Sequence, residues 1–195
     1  MSVTVRTLDP GEVQARLADL ARLRIAVFRE WPYLYDGDNT YESAYLTAFA
    51  AAPDAVLAAA FDGDRIVGMA TASPMAAQDA AIRDPVATHG FDIARTFYFG
   101  ESVLLPQWRG QGIGHGFFDA RETGARRAGA QVATFCAVIR ADDHPLRPDG
   151  ARSHAAFWTK RGYAPVPGLA CTMHWRDVGE AGESAKRLQF WSRAL

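Results

Sequence analysis

Cysteine, lysine and long apolar runs are all scarce in this chain, and each scarcity excludes something. Two cysteines, Cys136 and Cys171, in 195 residues make no disulfide framework and no CxxC pair, so both are expected to be reduced thiols. No apolar stretch approaches the ~20 residues of a membrane helix. The opening M-S-V-T-V-R-T-L-D-P lacks the apolar core of a signal peptide, which sets the expectation of a soluble cytoplasmic protein with no membrane partner. A formal net charge of −1 leaves no basic excess for nucleic acid. Lys160 and Lys186 are the only lysines, a compositional bias toward arginine.

What is present is a 49% apolar chain, long enough for one well-buried domain, and a single domain over 1–195 is expected. Val3, Val5 and Thr7 alternate as a first strand, stopped by Asp9-Pro10-Gly11. From 12 to 30, Val13, Leu17, Leu20, Leu23, Val27 and Phe28 recur at spacings of three and four, which predicts an amphipathic helix. Residues 30–40, E-W-P-Y-L-Y-D-G-D-N-T, form a loop crowded with aromatics and acids, and 41–52 a second helix. Two apolar runs around Asp62-Gly63-Asp64 read as a hairpin, and a short helix is expected near 78–83.

Residues 96–127 organise the rest. An apolar run carrying one carboxylate, Glu101, is broken by Pro106 and then by Gly110, Gly112, Gly114 and Gly116. Ile113, Phe117, Phe118, Ala120 and Arg121 then resume at helical spacing. Strand, glycine turn, helix places unpaired backbone N–H groups at a helix N-terminus, an anion site. A P-loop would need G-x-x-x-x-G-K-[ST], and no lysine follows these glycines. A dinucleotide turn G-x-G-x-x-G also fails, because position 115 is His and 117 is Phe. Downstream come a buried strand over 131–139, a polar loop over 140–150, a short helix over 153–161 stopped by Gly162, and two final strands near 169–176 and 186–193. Strands alternating with helices predict an α/β fold with a mixed sheet and helices on both faces.

The hexapeptide R-G-Q-G-I-G, Arg109 to Gly114, matches the pattern Q/R-x-x-G-x-G/A. Together with S-H-A-A-F-W-T-K-R-G-Y over 153–163, where Phe157, Lys160, Gly162 and Tyr163 match an F/L-Y-x-K-x-G-F segment, it resembles the GCN5-related N-acetyltransferase (GNAT) superfamily. The resemblance implies a sheet splayed at an acetyl-CoA site. Pyrophosphate would lie on Gly110, Gln111, Gly112, Ile113 and Gly114, with Arg109 adding charge. The pantetheine arm would run along Val103, Leu104 and Leu105, and Phe157, Trp158 and Lys160 would border the cofactor. The Leu104 amide would donate to the thioester oxygen. Two positions depart from the pattern: the frequent Asn falls on Ala151, and the frequent Tyr, a proton donor to the leaving thiolate, falls on Trp158. An indole N–H is no practical acid.

Transfer needs a neutral amine, and Glu101, a carboxylate inside an apolar strand, is the expected base, directly or through a water; the competing reading is a carboxylate that faces solvent or holds an arginine. His154, Cys136 and Tyr98 are the alternative acids, each with a simpler structural role, and a CoA thiol can also leave as thiolate unaided. His115, His144, Asp142 and Asp143 lack metal-ligand spacing, and no metal is expected. The acceptor side is assigned to Glu30, Trp31, Tyr33, Tyr35 and Asp36, with Trp191 as an addition, which suits a small, partly apolar amine. A non-catalytic CoA-binding module is the competing function; a hydrolase lacks its G-x-S-x-G elbow. Homodimerisation is left open.

Overall fold

The computed structural model describes residues 3–195. Seven strands form one open sheet in the order β1-β2-β3-β4-β5-β7-β6. They are β1 Thr4–Leu8, β2 Val56–Asp62, β3 Arg65–Pro74, β4 Thr96–Leu104, β5 Val132–Val138, β6 Ala164–Trp175 and β7 Ser184–Ala194. All neighbours are antiparallel except β4 and β5, so the sheet is mixed, as expected.

Side-chain alternation along β2 assigns the two faces. Leu57, Ala59 and Phe61 pack under helices α1 (Pro10–Ala15), α2 (Leu17–Phe28) and α3 (Asn39–Ala51). Ala58 and Ala60 point the other way, onto Ile113 and Phe117 of α5 (Ile113–Arg127). Helix α4 (Ala80–Thr88) packs Ile82 and Val86 against the β6–β7 end, and α6 (Ala155–Lys160) lies near the aromatic cluster of Phe99, Phe118, Phe135 and Tyr163.

The expected helix over 12–30 is two helices. The Asp9 side chain accepts from the Glu12 N–H at 2.8 Å, closing a capping box at the start of α1, with Pro10 in the first turn. Arg16 then leaves helical geometry at φ −109°, ψ 11°. The apolar spacing runs across this break, because Val13, Leu20 and Leu23 still reach one core. Periodicity therefore could not register it.

The helix near 78–83 is displaced to Ala80–Thr88 and passes through Pro85, which reads in sequence as a breaker. Packing of Ile82 and Val86 on either side of the proline holds it. β6 begins five residues earlier than expected and β7 extends the expected strand at both ends, and the pair accommodates a register shift between Pro165 and Ala170.

Candidate active site

Strands β4 and β5 pair only through Thr96–Val132, Phe97–Ala133 and Tyr98–Thr134. Beyond that point they part. The gap between them is a cleft of about 490 Å³ running from Trp31 and Tyr33 at one side to the α5 glycines at the other.

A β-bulge shapes the wall of the cleft. Ala70 faces Ser102 and Ala72 faces Phe99, so Thr71 alone opposes Gly100 and Glu101. Thr71 Oγ1 accepts the Glu101 N–H at 3.3 Å. A Cβ at position 100 would lie 2.6 Å from that hydroxyl, which explains the glycine. The bulge directs the Glu101 carbonyl to α5, where Arg121 Nη1 donates to it at 3.3 Å.

The Glu101 carboxylate lines the cleft and is 8% exposed. Its Oε1 meets Arg24 Nη1, and its Oε2 accepts from the Tyr45 hydroxyl at 3.3 Å. Arg24 also pairs through Nε with Glu42, which is fully buried. Burial opposes charge on Arg24, but Glu101, Tyr45 and Glu42 outweigh it and hold the guanidinium above its ordinary pKa. Burial, followed by the charge of Glu101, raises the Tyr45 phenol, so Tyr45 stays a donor. Glu101 thus holds an arginine, as the competing reading has it, while its carboxylate also lines the cleft.

At the other end, Gly110 and Gly112 take φ values of 77° and 82°, the left-handed region that glycine enters freely. Gly112 is the N-cap of α5. The Phe157 ring packs so closely on Gly114 that a Cβ there would stand 3.3 Å from it. That close approach of glycine backbone, ring and helix N-terminus fits an elongated phosphate-bearing ligand.

The expected cofactor residues divide. Leu104, Arg109, Gly110, Gly112, Ile113 and Gly114 line the cleft, as do Phe157 and Trp158. Val103 and Leu105 instead pack in the core beneath α2, and Lys160 is exposed. Gln111 turns its side chain to the Gln107 carbonyl at 3.0 Å. Arg109 donates through Nε to the Leu104 carbonyl at 2.9 Å and through Nη1 to Glu30 at 2.9 Å, tying the glycine turn to the aromatic loop over 30–40.

The residues expected on the acceptor side divide too. Trp31 and Tyr33 line the cleft. Glu30 is taken by Arg109, Asp36 pairs with Arg29 and Arg176, and Tyr35 bridges to Asp177. Trp191 packs behind Trp158 at 5.1 Å. Of the alternative acids, Cys136 and His154 line the cleft, whereas Tyr98 is buried beside it, bonded to Cys136 at 3.0 Å. Burial, then Cys136, pushes the Tyr98 phenol well above its ordinary pKa. His144 accepts the Leu146 N–H and packs on Trp31, and among the described residues no group of three metal-ligating side chains converges.

Sequence reading missed the clamp on the aromatic loop. Arg140 donates to the Pro32 and Tyr33 carbonyls at 2.8 and 2.6 Å and forks onto Asp177 at 2.6 and 3.0 Å. Lys186 adds a second cation 3.4 Å from Asp177. Burial works to raise the Asp177 pKa, but Arg140 and Lys186 prevail and hold it below the ordinary value. Its contribution to stability is therefore complete above the unfolded value of about 3.9 and is lost as pH falls through the lower folded one. Asp177→Asn should cost ~3 kcal/mol at pH 7 in urea unfolding, because it strands two buried cations. The variant should also lose less stability than wild type as pH falls below the unfolded value of about 3.9.

No family model and no curated protein matches this sequence. Solved structures do match the fold. Salmonella typhimurium yncA, solved with its cofactor acetyl-CoA, superposes with a TM-score of 0.62 at 16% identity, over 100% of this chain and 95% of its own. A ribosomal-protein-alanine N-acetyltransferase from Brucella melitensis gives 0.64 at 14%, over 98% and 99%. An aminoglycoside 6'-N-acetyltransferase complexed with coenzyme A gives 0.60 at 17%, over 98% and 96%. Others at similar levels are acetyltransferases of the GNAT family. This chain has the GNAT fold.

Proposed function

We propose that the protein is an acyl-CoA-dependent N-acetyltransferase that moves an acetyl group from acetyl-CoA to a primary amine of a small-molecule or amino-acid-like acceptor. The observation that carries this is the parting of β4 from β5 after Tyr98, which opens one cleft onto both the α5 glycine turn and Glu101.

In this reading the pyrophosphate rests on the backbone of residues 110–114, where unpaired donors and the helix dipole favour negative charge. The acceptor enters past Trp31 and Tyr33. Glu101 takes a proton from the ammonium, directly or through a water, because a protonated amine has no lone pair for attack. The nitrogen adds to the thioester carbon, the C–N bond forms, and the C–S bond breaks with its electron pair on sulfur. The nitrogen's second proton passes to the thiolate through water, giving an amide and free CoA. The Leu104 amide is assigned as donor to the thioester oxygen, where charge grows in the transition state. Trp158 shapes the cleft and supplies no proton.

A second reading keeps the fold and removes the chemistry. Both carboxylate oxygens of Glu101 are engaged, by Arg24 and Tyr45, and this favours a CoA-binding module. Release of free thiol from acetyl-CoA across a panel of primary amines separates the two. Turnover with at least one amine is expected. Acetyl-CoA at a hundred times its Kd should add about 2.7 kcal/mol of stability in either case. Stabilisation without thiol release on any acceptor would establish the binding module, and absence of both would defeat the two readings together.

A further inference from the structure

Four arginines with strongly buried side chains are Arg24, Arg121, Arg140 and Arg161, and among the described residues three of them have carboxylate partners. Arg121 has none. It is 2% exposed, on α5, and it lines the cleft. The neighbouring Glu122 is committed elsewhere, to Arg161, Arg193 and the Tyr163 hydroxyl.

The contacts of Arg121 are partial. Nε donates to the Phe117 carbonyl at 3.2 Å and Nη1 to the Glu101 carbonyl at 3.3 Å, both at the long end for hydrogen bonds. Nη2 is buried with no partner. The rings of Phe99 and Phe118 flank the guanidinium, each centroid 4.6 Å from Cζ. Such faces stabilise a cation and hold its plane, but they leave its N–H edge unanswered. Burial, opposed by Tyr163, Glu101 and Glu122, lowers its pKa to about 10, so it remains charged at neutral pH. A buried charge without a counter-ion is costly, and an anion supplied by a ligand removes that cost.

Its position selects which part of a ligand would do so. Arg121 lies two helical turns, about 12 Å, beyond the start of α5, too deep for the phosphates. It grips the carbonyl of Glu101 itself, on the bulge that shapes the wall of the cleft.

Resting on the acyl-CoA reading above, we infer that besides acetyl this cleft takes an acyl group that ends in a carboxylate, as in a short dicarboxylic thioester, and that Arg121 binds that carboxylate. The transfer is unchanged in its bonds: C–S breaks, C–N forms, and the distal carboxylate passes to the product intact.

Isothermal calorimetry of the wild-type protein with succinyl-CoA and with its neutral analogue butyryl-CoA tests this without any variant. Succinyl-CoA should bind about tenfold tighter or better, a difference of 1.4 kcal/mol. In Arg121→Met the ratio should collapse to about one. Equal binding of the two esters by wild type, or preference for butyryl-CoA, overturns the inference and leaves the acyl-CoA reading standing. A ratio that survives in Arg121→Met also overturns it, since the selectivity then comes from another group. Failure of succinyl-, butyryl- and acetyl-CoA alike to bind overturns the acyl-CoA reading itself.

Discussion

Glu101→Gln is expected to lower kcat for amine acetylation by about 10²-fold or more, the scale of a lost general base. Glutamine keeps the shape and can still meet Tyr45, and Arg24 keeps its pairing with Glu42. The loss should therefore fall on kcat, with the KM for acetyl-CoA little changed, since the glycine turn lies at the other end of the cleft. A variant that keeps kcat would assign Glu101 solely to holding Arg24.

Arg24→Met should cost about 3–5 kcal/mol at neutral pH, measured by urea unfolding, the usual penalty for breaking a buried ion pair from one side. Arg24 sits between two buried carboxylates, Glu42 and Glu101. Without it, two like charges face each other with no water to screen them, and one is driven toward its protonated form. A carboxyl raised in the folded state stabilises below its unfolded pKa and is lost as pH rises through the folded one. The variant should thus gain stability on acidification toward the unfolded carboxyl value of about 4.3. Arg24→Met with Glu42→Gln should recover part of the loss at pH 7, by removing one of the two charges.

How these charges meet was half legible in the chain. Arg24 falls in the apolar stripe of α2, between Leu20 and Val27, and Glu42 shares a stripe with Tyr45, Leu46 and Phe49 in α3. Arg121 does the same after Phe117 and Phe118 in α5. A charge at a core position of an amphipathic helix is a signal that it has a buried partner. Reading along the chain could flag each one and still not connect them. Arg24 and Glu101 are far apart in sequence, and their encounter depends on α2 crossing β4.

Local chemistry determined the turns, the hairpin at Gly63, the capped helix starts, the glycine turn before α5 and the strand that carries Glu101, because backbone sterics and side-chain periodicity act over a few residues. The mixed sheet with helices on both faces followed from the order of those pieces. Only the tertiary structure decided where β4 leaves β5, that Arg24 and Tyr45 occupy both oxygens of Glu101, that Arg140 and Asp177 pin the aromatic loop, and that Arg121 is left without a counter-ion. Pairing between distant charges is set by how whole elements pack, and a chain read in one dimension carries no record of that distance.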